Sequence, residues 1–268
     1  MHLHRRRATL GAALLLVGCT EYDITSNFDP VANPDDPVAV CELTPTQVRP
    51  VHDSATFDGS ESFDPGGLEL THEWVLVGKP EASTATFPAE TGPIVSNFSA
   101  DLAGEYVAEL TVTNTDGNQD SCEAVLQAVP TENLWIELLW THAGDDMDIH
   151  LLAPGGQLQT NLDCYYANCR SGLNWGDPDN PLNNPLLDYD DIPGTGPENI
   201  NIAEPADGLY TVVVHDFPGS VYMPANPTTV NIYIDGQLVW SGTKDIEGED
   251  DYVYFATIDW PSGQVNGL

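Results

Sequence analysis

Basic residues are nearly missing from this chain. Its 268 residues hold 7 Lys+Arg against 42 Asp+Glu, a formal net charge of −35. A field of that sign repels nucleic acid and anionic lipid surfaces and attracts cations, so nucleic-acid binding is excluded. A sustained helical period is missing too, since no 3.6-residue pattern holds for three turns beyond the N-terminal leader. A second apolar run approaching the ~20 residues of a membrane-spanning helix is also missing. The sequence has no Gly-x-Ser-x-Gly elbow, no His-Glu-x-x-His pair, no phosphate loop, no EF-hand loop and no nonapeptide calcium repeat. What remains is 41% apolar residues with six Trp and ten Tyr, enough to build cores.

The N-terminus, MHLHRRRATLGAALLLVGC, has Arg5 to Arg7, an apolar run from Leu10 to Val17, then a small residue and a cysteine. That order is a secretory signal peptide. Leu16-Val17-Gly18-Cys19 resembles the bacterial lipobox, which makes Cys19 the lipidated first residue of the mature chain. The alternative is an ordinary signal peptide cut nearby. Thr20 follows where an Asp would imply inner-membrane retention, so an outer-membrane or cell-surface address is expected, with the lipid as the membrane attachment. Removing the leader takes three Arg and no acid, leaving four basic residues against 42 acids, about −38.

Five cysteines are an odd number for an exported chain, and assigning Cys19 to the lipid leaves Cys41, Cys122, Cys164 and Cys169. CYYANC (164–169) can close a tight local loop, which leaves Cys41 with Cys122. Export makes disulfides the default over a thiol-held metal.

Residues 19–37 are polar and Pro-rich and read as a tether. From there the chain shows short β-rich runs separated by Gly, Pro, Asn and Asp. The expected fold class is all-β: two β-sandwich domains in tandem, 38–130 and 131–268, with a seam at Pro130. In Tyr106 to Thr113 the even positions Tyr106, Ala108, Leu110 and Val112 would face one way. FDGSESFDPGGLELTHEW (57–74) and LAGEYVAELTVTNTDG (102–117) together resemble a PKD-type domain, an immunoglobulin-like β-sandwich common in bacterial surface proteins. His72 and Gly66-Gly67 depart from that pattern in turn detail. The resemblance implies a spacer or adhesion module. A Cys41–Cys122 bond would tie its first strand to its last, worth about 4 kcal/mol on the loop-entropy model.

The second half opens on the apolar run Leu134 to Trp140, followed by GDDMDIHLLAPGG (144–156), which sets Asp145, Asp146 and Asp148 at a strand start. Asp is disfavoured inside strands, so this placement calls for an explanation. An insert from Asp163 to Asn199 follows, containing NWGDPDNPLNNP with Asp177 and Asp179, and LDYDDIPGTGPENI with Asp188, Asp190, Asp191 and Glu198. The Asp-x-Asp-Ile-His-Leu strand, Gly196-Pro197-Glu198-Asn199 and Gly208 to Val212 are similar to a bacterial β-sandwich domain of unknown function found in secreted proteins and lipoproteins, including YfaP-like ones.

An irregular loop of this length is uncommon inside a compact domain unless something orders it. Calcium would do so, taking six to eight oxygens from carboxylates, Asn and carbonyls. The candidate ligands are Asp146, Asp148, Asp188, Asp190, Asp191 and Glu198. Against this stands the ordinary use of Asp, Asn, Gly and Pro as turn formers in a loop pinned by its own disulfide. Tyr165, Tyr166 and Trp175 could stack on a sugar ring or form the loop's own small core, and His142, His150 and His215 are conceivable zinc ligands. The expectation is a non-catalytic envelope protein, a spacer followed by a recognition or structural module whose partner is an envelope protein or a glycan. Its alternatives are a glycan-binding module using the aromatic insert and a hydrolase built on paired carboxylates.

Overall fold

A computed structural model describes residues 36–88, 92–171, 173–175, 179–192, 194–219 and 225–268. Cys19, the leader, the tether up to residue 35 and Asp177 lie outside them. The chain is all-β. Seven strands precede Pro130: β1 (Glu42–Thr44), β2 (Gln47–Val48), β3 (Ala55–Asp58), β4 (Leu70–Gly78), β5 (Ile94–Phe98), β6 (Gly104–Asn114) and β7 (Gln119–Ala128). They form one sheet of order β1-β3-β5 and one of order β2-β7-β6-β4. The second set is β8 (Leu134–Trp140), β9 (Met147–Leu152), β10 (Asp163–Cys164), β11 (Leu186–Tyr189), β12 (Glu198–Ile202), β13 (Gly208–Asp216), β14 (Asn226–Ile234), β15 (Gln237–Ile246), β16 (Tyr252–Trp260) and β17 (Gln264–Gly267). Its sheets run β11-β12-β8-β14-β15 and β10-β9-β13-β16-β17. Among the described residues no strand pairs across the divide between β7 and β8.

Period-two alternation builds the first core. Tyr106, Ala108, Leu110 and Val112 of β6 are all buried, in one core with Trp74 and Leu126 of the neighbouring strands and Phe57 and Phe98 of the other sheet. The Trp74 indole N–H is satisfied by the Pro93 carbonyl at 3.0 Å. A disulfide joins Cys41, just before β1, to Cys122 in β7.

β8 is buried at all seven positions, without alternation. Its even residues Leu134, Ile136, Leu138 and Trp140 enter the core of the second sandwich. Its odd residue Trp135 packs with Tyr233 against Ala103 and Val51 from the earlier strands. Glu137, on the same face, accepts from the Ala103 N–H at 3.0 Å and the Tyr233 hydroxyl at 3.1 Å. Both faces of β8 are covered, which is why its sequence is nearly continuous in apolar residues.

The insert is more regular than its composition suggests. Leu186–Tyr189 pairs with β12 as an edge strand, and a 3-10 turn occupies Pro181–Asn183. A disulfide closes Cys164 on Cys169. Trp175 is buried in the core, its indole N–H donating to the Asn161 carbonyl at 2.9 Å.

Candidate metal centre

The acidic turn sits where β9 begins. Met147, Ile149 and Leu151 point into the core, so the strand's alternation sends Asp148 and His150 to its other face. Asp148 lies directly opposite His215 on β13 in the antiparallel register. Glu198 arrives from the opposing sheet as the first residue of β12, whose Ile200 and Ile202 are core residues. Its Oε2 accepts from the Ile149 N–H at 2.9 Å, which draws it to the β9 backbone next to Asp148. Its Oε1 accepts from the Asp191 N–H at 3.3 Å. The result is a trio, Asp146, Asp148 and Glu198, with one carboxylate oxygen from each lying within 4.8 Å of the others.

Enclosure makes this arrangement costly without a counter-charge. Asp148 is 3% exposed and Glu198 1%. Oδ2 of Asp148 and Oδ1 of Asp146 are enclosed and have no hydrogen-bond partner. Burial, then the neighbouring Asp148, Asp190 and Asp191, pushes the Asp146 carboxyl up to about 7. Burial, then Asp148, raises Glu198 well above the ordinary carboxylate range. Asp148 is raised by burial, against the pull of His215 and His150. Nδ1 of His215 stands 3.7 Å from Oδ2 of Asp148, beyond hydrogen-bond length, so the two interact as charges. Carboxylates so placed favour whatever restores charge balance, a proton or a cation.

The other candidate ligands divide. Asp190 and Asp191 lie close enough to raise the trio's carboxyls. Asp190 also pairs with Arg170 at 2.8 Å, and Oδ2 of Asp191 accepts from the Gly196 N–H at 2.8 Å. Asp188 is not brought to the trio. Its Oδ2 is held by Arg49 at 3.0 Å and His52 at 2.7 Å, which precede β3, and by Asn201 of β12 at 2.6 Å. Asp188 falls at a register shift between Leu187, which enters the core, and Tyr189, and its contact with Asn201 sets it apart from Leu187. Three independent partners satisfy Asp188, and it is best read as part of the contact with the first sandwich.

The histidines proposed as zinc ligands do not join the trio. Nδ1 of His150 lies 2.8 Å from Oδ2 of Asp163, both residues being fully enclosed. His215 stacks on Tyr252 with centroids 4.0 Å apart, its Nε2 3.0 Å from Asp250. Asp163 and Asp250 were not singled out in the sequence. The only local signal for Asp163 was its place beside Cys164, where a disulfide holds the chain against the sheet.

No protein-family model and no curated protein matches the chain. One solved structure to which it is similar is described as "Structural basis for the promiscuous specificity of the carbohydrate- binding modules from the beta-sandwich super family". It is 12% identical, covers 85% of this chain and 86% of that chain, and superimposes with a TM-score of 0.29.

Proposed function

We propose that this chain is a non-catalytic, lipid-anchored envelope protein in which a PKD-like spacer carries a second β-sandwich that binds calcium at Asp146, Asp148 and Glu198. The observation that carries the metal reading is the trio itself: three carboxylate oxygens within 4.8 Å, contributed by two opposing sheets, two of the side chains enclosed. An all-oxygen site suits calcium, whose coordination geometry is flexible, better than magnesium, which demands near-octahedral geometry and keeps its water. The same enclosure argues against a hydrolase, whose acid and base must both reach a scissile bond. The lipid anchor rests on the lipobox at Cys19.

Sugar binding through the insert has less support. Trp175 is in the core, and Tyr165 lies flat on His150 with centroids 4.9 Å apart. Of the three rings only Tyr166, 37% exposed, is left for a ligand.

The test is thermal. A ligand at tenfold excess over its dissociation constant stabilises by about 1.4 kcal/mol, on the order of 3–6 °C for a domain of this size. Chelation should lower the melting temperature of the full chain. Millimolar calcium at fixed ionic strength should restore it, and magnesium should do so less well. Asp148→Asn combined with Glu198→Gln should raise the melting temperature of the chelated protein by relieving repulsion and shrink its calcium response. An undiminished response in that variant would overturn the assignment.

A further inference from the structure

A cleft of about 630 Å³ opens between the two sandwiches. The first sandwich contributes the turn after β4, Pro80 to Ala82, and Leu102 and Ala103 ahead of β6. The second contributes the face of β8 and β14 turned away from its own core. Leu138, Val230 and Ile232 go inward, so alternation leaves Glu137, Leu139, Thr229, Asn231 and Tyr233 to the cleft. Glu137 and Asn231 stand opposite each other in the register. Pro80, Ala82, Leu102, Leu139 and Pro227 give aliphatic sides, and Thr141, Thr195, Thr229 and Asn231 add neutral hydroxyl and amide groups. None of the lining residues is basic, and the charged ones are Glu81 and Glu137.

Glu137 lacks a counter-charge. It is 1% exposed, and its two oxygens are held by the Ala103 N–H and the Tyr233 hydroxyl, both neutral donors. Burial pushes its carboxyl above the ordinary range despite them. Beyond the leader the chain has four Lys+Arg, and each is engaged elsewhere. Arg49 meets Glu132 and Asp188, Arg170 meets Asp190, Lys79 donates to the Ala85 carbonyl, and Lys244 donates to the Tyr254 and Leu268 carbonyls. A buried carboxylate without a paired charge is strongly disfavoured, so a cation brought into the cleft from outside would gain from meeting it. The chain's net charge of −35 draws cations toward it and keeps anionic ligands away.

We propose that this cleft binds a lysine side chain presented by a peptide segment of a partner protein, its aliphatic stem between the apolar sides and its ammonium paired with Glu137. An arginine fork would need both carboxylate oxygens, and each already has a protein donor; an ammonium acts as a point charge and does not. The neutral hydroxyl and amide groups suit the backbone of a peptide, which a free amine lacks. The site shares no residue with the carboxylate trio and stands whether or not the trio binds metal.

The experiment is isothermal calorimetry on the full chain with chelator present, at physiological ionic strength so that diffuse attraction is screened. The probes are a terminally blocked Ala-Lys-Ala peptide, its Ala-Gln-Ala counterpart and putrescine. The lysyl peptide should bind, and the other two about tenfold or more weaker. Glu137→Gln keeps the shape and removes the charge, whereas Thr229→Trp fills the cleft from a half-buried position on β14. Each should weaken the lysyl peptide by about tenfold or more, and Glu73→Gln, an exposed change on β4, should leave it unaffected. The two cleft variants act on charge and on space separately, so either suffices if the other does not fold. Full affinity in a cleft variant that folds overturns the proposal, as does no binding of the lysyl peptide. Equal affinity for the glutaminyl peptide or for putrescine overturns it too. So does a loss in Glu73→Gln as large as in Glu137→Gln, which would mark diffuse attraction. Chelator keeps calcium out of the measurement, so this reading and the calcium reading fail separately.

Discussion

Asp146, Asp216 and His215 each hold a proton more tightly in the folded chain than in the unfolded one. For Asp146 the causes are burial and then Asp148, and for Asp216 they are burial and then Asp145, each carboxyl reaching about 7. For His215 burial acts the other way, but Asp148 and Asp250 outweigh it and its pKa is raised. All three shifts therefore have one sign in linkage. Between about pH 4 and 7 the two carboxyls, and from about pH 6.5 upward His215, keep more protons in the folded chain than in the unfolded one, so stability rises as pH falls through that range. Asp101 opposes the trend only near its lower end: burial would raise it, but hydrogen bonds from Ser83, Tyr106 and Thr84 hold it below the usual carboxylate range. The chelated protein should thus melt several degrees higher at pH 5.5 than at pH 7.5. Saturating calcium should flatten or reverse that difference, because a cation favours the ionised forms. A chelated protein less stable at pH 5.5 would show that these carboxyls are not protonated together in the fold.

Single elements differ in how plainly the sequence announced them. The alternation of β6 was legible because one of its faces is solvated, so polar and apolar positions separate cleanly. β8 gave an apolar run but not its orientation, since two different neighbours cover its two faces. β11 was not foreseen. Leu186–Tyr189 is a four-residue edge strand among Asp, Pro and Gly, and only its pairing with β12 makes it one. The disulfides offer a test at this scale. The two cysteines of one bridge are 81 residues apart and those of the other are 5. On the loop-entropy model the long closure is worth about 4 kcal/mol and the short one about 2. Replacing Cys41 and Cys122 by Ser should therefore lower the melting temperature clearly more than replacing Cys164 and Cys169. An equal or reversed order would mean that the short bridge stabilises by holding the insert against the core.

At the scale of the whole molecule, charge and attachment dominate. Among the described residues no helix is long and apolar enough to cross a membrane. The proposed anchor is Cys19, and Cys19→Ala should move the protein from the membrane fraction to the soluble one; an unchanged distribution would refute the lipobox. The sequence by itself determined the all-β class, the inward faces of the alternating strands and the presence of an acidic turn before β9, because these follow from local period and composition. Only the tertiary structure decided which acids meet. Asp188 and Glu198 are ten positions apart in one acidic loop, yet Asp188 goes to Arg49 and His52 while Glu198 goes to Asp146 and Asp148. The physical reason is direction. A strand sends successive side chains to opposite faces, so the register of β11 and β12 against the core settles each carboxylate's neighbours, and register is fixed by pairing between segments far apart in the chain.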